Sequence, residues 1–208
     1  MFGLYTTSIT LLLTFLHSLD EWDKWLFLKI NNDWTNSFFD SVFPWWRDQN
    51  AWLPLYLFLL LFLLFNFGWR VWPYIFLVII TVVITDQLSS TLLKNWVNRP
   101  RPCNDVLLKY QVRLLTGYCP GSGSFTSSHA TNHFGAAFLF FLTLKPYFKN
   151  WSYLFFFWAA TISYGQIYIG IHYPLDVAGG AILGSFIGIL MAWLYKRFIP
   201  LHMKPLLP

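Results

Sequence analysis

Residues 51–85 read AWLPLYLFLLLFLLFNFGWRVWPYIFLVIITVVIT, and Arg70 is the one charged side chain among them. A membrane-spanning helix needs about 20 apolar residues. Residues 51–69 meet that need, and residues 71–85 begin a second span that the pattern carries through Asp86 toward Trp96. Downstream, residues 151–171 and 178–195 qualify, the latter ending at Lys196 and Arg197. A shorter apolar run, 133–144, spans only if it takes in the flanks from 131 to 147. These five spans predict an all-α, polytopic transmembrane helical bundle. Composition agrees, with 56% apolar, 22% aromatic and 11% charged residues. Soluble domains carry about 25% charged residues, so an ordinary soluble domain and a disordered chain are both excluded. No Lys/Arg-rich run with interleaved aromatics points to nucleic acid.

The first fifty residues read differently. Residues 8–19 are apolar but short, with no positive leading segment and no small-residue cleavage site, so they do not read as a signal peptide. Phe15, Leu19, Trp22, Leu26 and Ile30 recur at helical spacing, with Asp20, Asp23 and Lys24 off that stripe. The pattern predicts an amphipathic helix lying in the interface, with a short sixth span as the alternative. Residues 31–50 are mixed in polarity, with Trp34, Trp45 and Trp46 as interface anchors. The chain thus divides into an interfacial region, 1–50, and a transmembrane core, 51–208.

Charge sets the expected topology. With five spans, Arg70, Lys145, Lys149, Lys196, Arg197 and Lys204 share one face that holds no acid. The positive-inside rule makes that face cytoplasmic. Residues 94–125 and the turn at 171–176 then face outward, toward the periplasm or exterior of a bacterial inner membrane. Cys103 and Cys119 share that outer loop, where an oxidising space favours a disulfide between them; free thiols are the alternative. Gly180, Gly184 and Gly188 line one face of the last span, a close-packing surface between helices. The same face could serve as a homodimer seam.

Polar groups at membrane helices call for a reason, and three clusters fall on the outer face. Lys94, Arg99 and Arg101 crowd one membrane edge, where a point charge and planar forks can clamp a phosphate. Ser124, Thr126, Ser127, Ser128 and His129 precede the third span, where a helix N-terminus offers free N–H groups to an anion. His129 can donate a proton there. His133, one turn on, reads as a packing or capping histidine. The pair lacks a third metal ligand, so no metal site is expected. Gln166, His172 and Asp176 form the third cluster. A carboxylate four residues after His172 can fix its tautomer and raise the nucleophilicity of the other ring nitrogen. Together these groups suit covalent phosphoryl transfer through a phosphohistidine. Asp86 lies two turns before Lys94, with Ser90 between them on one helical face, and is placed to organise Lys94 from behind.

These residues resemble the type 2 phosphatidic acid phosphatase family of membrane lipid phosphatases, kin to glucose-6-phosphatase and vanadium haloperoxidases. The family pattern is K-x6-RP, then PSGH, then SR-x5-H-x3-D. Lys94, Arg101 and Pro102 match the first block in full. The second reads Thr126-Ser127-Ser128-His129, and the third keeps His172 and Asp176 at the family spacing. The resemblance implies a metal-independent phosphatase with no cofactor, His172 as nucleophile, Asp176 as its orienting partner and His129 as the acid. It implies that Lys94, Arg101, Ser127 and the Ser128 N–H hold the phosphoryl oxygens. The third block departs: Gly165 and Gln166 stand in place of Ser and Arg. Losing a donor to transition-state charge costs about 2–4 kcal/mol; Arg99 is a candidate to make up the missing charge. The expected substrate is a lipid phosphate or diphosphate drawn from the bilayer. Polyprenyl diphosphate is favoured over phosphatidylglycerol phosphate, phosphatidic acid and lipid A phosphate. A headgroup phosphotransferase and a catalytically degraded lipid-binding protein are the rivals. A channel is disfavoured because the polar residues gather at one face.

Overall fold

The computed structural model describes the backbone of residues 2–198 and the side chains of residues 10–198. Lys204, counted above with the cytoplasmic charges, lies outside them. The described residues are helical with connecting loops. The long helices are α1 (Phe2–Leu28), α3 (Leu53–Phe67), α4 (Trp72–Asp86), α6 (Ser128–Phe148), α7 (Leu154–Tyr168) and α8 (Pro174–Phe198). Two short ones are α2 (Ser37–Trp46) and α5 (Lys94–Val97).

Contacts with α6 show how the chain folds back. Phe62 and Phe67 of α3 meet Phe148 and Tyr147. On α4, the Tyr74 hydroxyl lies 2.7 Å from Thr143 Oγ1. Farther along, Ser90 reaches Ser128 at the opposite end of α6. The turn that reverses the chain begins at Gly68, whose φ of 58° is open to glycine and strained for other residues. This arrangement gathers the α3–α4 turn and the α6–α7 turn at one end. Lys94, His172 and Asp176 lie at the other.

The outer surface is inverted relative to a soluble protein. Leu53, Leu57, Phe58 and Phe65 of α3, Phe76, Ile79 and Val83 of α4, and Ile182, Phe186 and Ile189 of α8 are all exposed. Exposed Trp34, Trp45 and Trp96 ring the site end, and Trp69, Trp72 and Trp151 the far end. Two tryptophan belts around an apolar band are what a bilayer selects. Among the described residues, two stretches are long and apolar enough to cross a membrane by length and hydropathy, Gln49–Asn104 and Pro174–Phe198. The first contains both α3 and α4. Length and hydropathy therefore mark fewer stretches than the five spans expected, with α3 and α4 joined in one of them.

α6 and α8 form the centre of the bundle, joined by the glycine stripe. A Cβ on Gly180 would stand 2.6 Å from the Ser127 carbonyl, and one on Gly184 or Gly188 would run into the Thr131 or Gly135 carbonyl. The stripe is spent within the chain, so it is not available as a dimer seam. Gly184→Val is expected to destabilise the bundle by about 3 kcal/mol, the upper end for overpacking, because backbone rather than a movable side chain stands in the way. Thermal unfolding in detergent measures it; an unchanged midpoint would refute the close approach.

The N-terminal helix buries one of its acids against the bundle rather than turning it to water. Phe15 and Trp22 are exposed, while Asp23, Phe27, Ile30 and Asn31 are buried. The reason is a distant partner: Asp23 forms an ion pair with Arg99, and Asp20 does the same. Asn31 then pins the loop between α5 and α6, accepting from Arg113 N at 2.8 Å and donating to the Arg113 and Tyr168 carbonyls. Cys103 and Cys119 form a disulfide across that loop, with Cα atoms 6.0 Å apart.

Candidate active site

The first cluster is shaped by a change in helical winding. Between α4 and α5 the chain widens into a π-helical stretch, Gln87–Leu93, in which Lys94 N–H reaches back to the Ser89 carbonyl. Such bulges often mark functional sites. Lys94, buried at 8% exposure, donates from Nζ to Ser128 Oγ at 2.7 Å. Ser128 Oγ lies 2.8 Å from Ser90 Oγ, and Ser90 Oγ donates to Asp86 Oδ1 at 3.2 Å. Since an ammonium only donates, the chain has one sense, from Lys94 through Ser128 and Ser90 to Asp86. Asn132 Nδ2 donates to the same carboxylate oxygen at 3.2 Å.

α5 ends at Asn98 in the left-handed conformation, φ 46°, and Pro100 and Pro102 stiffen the exit. Arg101 is buried and held by three anchors. Nε and Nη2 donate to the Ser122 carbonyl and hydroxyl at 2.9 and 3.1 Å, and Nη1 to the Ile171 carbonyl at 3.1 Å. Nη1 also lies 3.2 Å from His172 Nε2.

That contact assigns the tautomer. Guanidinium has no lone pair to offer, so Nε2 is the acceptor and Nδ1 carries the hydrogen. Nδ1 faces Asp176 Oδ2 at 3.5 Å, a loose contact of the kind that tightens on substrate binding. Burial pushes the His172 pKa down to about 4, so the ring is neutral at pH 7. The turn that presents it depends on Gly170, whose φ is 93° and whose Cβ would meet the Arg113 carbonyl at 2.8 Å. Ile171 and His172 amides close this turn on the Gln166 carbonyl.

Asp176 is fully buried in the first turn of α8. Its Oδ2 accepts from Tyr173 N–H at 2.8 Å and its Oδ1 from Arg99 Nη1 at 3.0 Å. Arg99 also pairs with Asp20 and Asp23 at 3.0 and 2.8 Å and stacks 4.0 Å over the Tyr173 ring. It is therefore committed to carboxylates behind Asp176 and is not free to make up the missing third-block charge.

Ser127 caps α6, accepting weakly from Ala130 N–H at 3.4 Å, while its own N–H donates to the Asp176 carbonyl at 3.0 Å. Its hydroxyl is engaged in capping, and the link to Asp176 ties the second cluster to the third. The Ser128 and His129 amides head α6 and have no intrahelical acceptor. His133 Nδ1 donates to the His129 carbonyl at 2.7 Å and its ring packs edge-on against Trp158, a packing role. Gln166 is fully buried with neither Oε1 nor Nε2 hydrogen-bonded.

A cavity of about 570 Å³ opens from this end of the bundle. Ser128, His129, Asn132 and Asp86 form its polar head; Tyr56, Leu59, Leu63, Val78, Val82 and Phe140 are among its apolar walls. It runs between α3, α4 and α6.

Sequence reasoning missed Asp20 and Asp23 as partners of Arg99, Asn132 as a partner of Asp86, and Ser122 as the anchor of Arg101. It also missed Arg47, whose charge reaches both His129 and Arg101. Arg47 is the only Lys or Arg between Lys29 and Arg70, and that isolation was a signal.

Buried cations beside a neutral histidine, at the mouth of an apolar slot in a membrane-adapted bundle, define a membrane hydrolase of phosphate esters. Residues 70–200 match the PAP2 superfamily, and the chain belongs to it. The lipid A 4'-phosphatase of Bacteroides thetaiotaomicron is 34% identical over 161 residues, 76% of this chain and 68% of that protein. The lipid A 4'-phosphatase of Porphyromonas gingivalis is 33% identical over 124 residues; this chain spans about half of it, 51%. Among solved structures, Aquifex aeolicus LpxE superimposes with a TM-score of 0.57 at 30% identity, covering 80% of this chain and 92% of that one. A PAP2-type phosphatidylglycerolphosphate phosphatase from Bacillus subtilis gives 0.64 at 19% identity, over 91% and 96%. That second likeness speaks for the fold alone.

Proposed function

We propose that this protein removes a phosphate monoester from lipid A, drawn sideways out of the bilayer, through a phosphohistidine on His172. The observation that carries the reading is the apolar cavity with His129 at its polar head. Its volume lies within the range of about 300–1,000 Å³ typical of ligand pockets. The named relatives favour lipid A over the polyprenyl diphosphate that the sequence alone suggests.

In the proposed reaction His172 Nε2 attacks phosphorus while Asp176 holds the Nδ1 proton. Lys94, Arg101, Gln166 Nε2 and the Ser128 amide bind the phosphoryl oxygens. His129 protonates the leaving alkoxide, then takes a proton from the water that cleaves the N–P bond. Asp86 and Arg99 act from behind, on Lys94 and Asp176. Five crossings, a site facing the periplasm or exterior, and residues 1–50 lying at that interface complete the proposal. Cysteine-accessibility mapping near Lys109 and Lys149 tests the orientation; labelling of the Lys149 side from outside would invert it.

The test of function is phosphate release by purified protein in detergent with EDTA. It is offered lipid A, polyprenyl diphosphate, phosphatidylglycerol phosphate and phosphatidic acid. The highest kcat/KM is expected on lipid A, undiminished by EDTA. A tenfold preference for polyprenyl diphosphate would replace lipid A as the substrate. Headgroup exchange that depends on an added acceptor would make the protein a phosphotransferase. No release from any lipid would leave a lipid-binding protein. Lys94→Met is expected to lower kcat/KM about 10²- to 10³-fold, the usual loss for one donor to transition-state charge. A loss below tenfold would remove Lys94 from the phosphate.

A further inference from the structure

Both departures from the third block, Gly165 and Gln166, lie on the stretch of α7 against which α2 packs. Gly165 has no side chain, and a Cβ there would meet Phe43 Cδ1 at 3.0 Å. The ring of Phe43 occupies the space where the family pattern carries a serine. One turn away, Trp46 Nε1 donates to Thr161 Oγ1 at 3.0 Å and its carbonyl accepts from Trp52 Nε1 at 2.7 Å. Phe43 also packs on Tyr164 and Tyr168. These contacts fix the C-terminal end of α2, and the residue at that end is Arg47.

Arg47 is half-buried, its guanidinium facing Tyr118 of the outer loop. It stands near enough for its charge to disfavour a further positive charge on both His129 and Arg101. Its Nε is buried without a hydrogen-bond partner. Gln49 and Asn50, just beyond it, line the same cavity as His129. A buried guanidinium N–H with no acceptor is costly unless a ligand supplies one. An incoming phosphoryl group would bring such an acceptor.

We infer that Arg47, delivered by α2, binds the substrate phosphoryl group and supplies the guanidinium that Gln166 lacks. The charge has moved from α7 to the neighbouring helix, and the loss of the serine side chain at Gly165 is what lets that helix approach. The role of Arg47 in turnover rests on the phosphatase reading; its contact with a phosphoryl group does not.

The experiment pairs two readouts on purified protein in detergent. One is phosphate release from lipid A; the other is the affinity for orthovanadate, read from the shift of the thermal unfolding midpoint with concentration. Arg47→Ala is expected to lower kcat/KM about 100- to 1,000-fold and to weaken orthovanadate at least tenfold. Adding Gln166→Arg to Arg47→Ala is expected to recover tenfold or more in both. Arg47→Lys keeps the charge without the planar fork and is expected to fall between the two, which serves if the alanine variant does not fold. Orthovanadate affinity within threefold of the parent in the folded variants would overturn the inference, whatever the activity. Arg47-dependent orthovanadate binding by a parent that releases no phosphate would uphold it and defeat the phosphatase reading.

Discussion

His172→Ala is expected to reduce phosphate release by about 10⁴-fold or more on every lipid, leaving only catalysis by the remaining phosphate-binding groups. The argument runs from one contact. Arg101 can only donate, so the nitrogen it faces at 3.2 Å must present a lone pair. That nitrogen attacks phosphorus once the incoming phosphoryl group draws the Arg101 guanidinium off its lone pair, in the neutral ring that burial maintains at pH 7. The parent, quenched in acid during turnover, is expected to carry no stable phosphate, because the N–P bond is acid-labile. Quenched in base it is expected to carry up to one phosphate per chain, and His172→Ala none. The variant should fold, since Arg101 keeps its bonds to Ser122 and the Ile171 carbonyl without the imidazole. A folded His172→Ala protein retaining more than about one part in a hundred of parental activity would mean that another group attacks phosphorus.

How much of this could be read from the sequence depended on whether partners were near in the chain. Long apolar runs disclosed α3, α4, α7 and α8, since burial in lipid writes itself into composition. The approach of α6 and α8 was legible too, because glycines four apart on one face mean little else. The motif residues came together because each pair is local or lies in a recognisable block. The Asp86–Ser90–Ser128–Lys94 chain was half visible, as three of its members share a helical face. Its link through Ser128 needed the fold. The inward side of α1 was hidden for a physical reason: apolar periodicity counts an aspartate as a solvent-facing residue. Asp23 is fully buried because its partner, Arg99, arrives from a loop far along the chain. Arg47 stood out by its isolation, but where it goes was hidden in the same way. Nothing beside it in sequence says that Phe43 will settle on Gly165 and carry the arginine to the site.

Arg99→Met is expected to destabilise the protein by about 3–5 kcal/mol, the cost of breaking a buried ion pair and stranding its partner. For a chain of this size that is roughly 6–20 °C in the unfolding midpoint. Asp23 and Asp176 are both fully buried, and Arg99 stands between them at 2.8 and 3.0 Å. Without the guanidinium, two like charges would face each other with no cation paired between them, so one of them would take up a proton. If Asp176 takes it, the His172 Nδ1 proton loses its carboxylate and activity falls as well. Adding Asp23→Asn to Arg99→Met separates the two effects. It removes one of the stranded charges while keeping the amide's ability to accept from Leu175 N–H, which Asp23 Oδ1 now does at 2.8 Å. The double variant is therefore expected to regain at least half of the lost stability and, with Asp176 again ionised, part of the lost activity. Both follow from thermal unfolding and phosphate release measured on the same preparations. A midpoint for Arg99→Met within about 2 °C of the parent, or a double variant no more stable than the single, would show that Arg99 is not what makes the burial of these two acids tolerable.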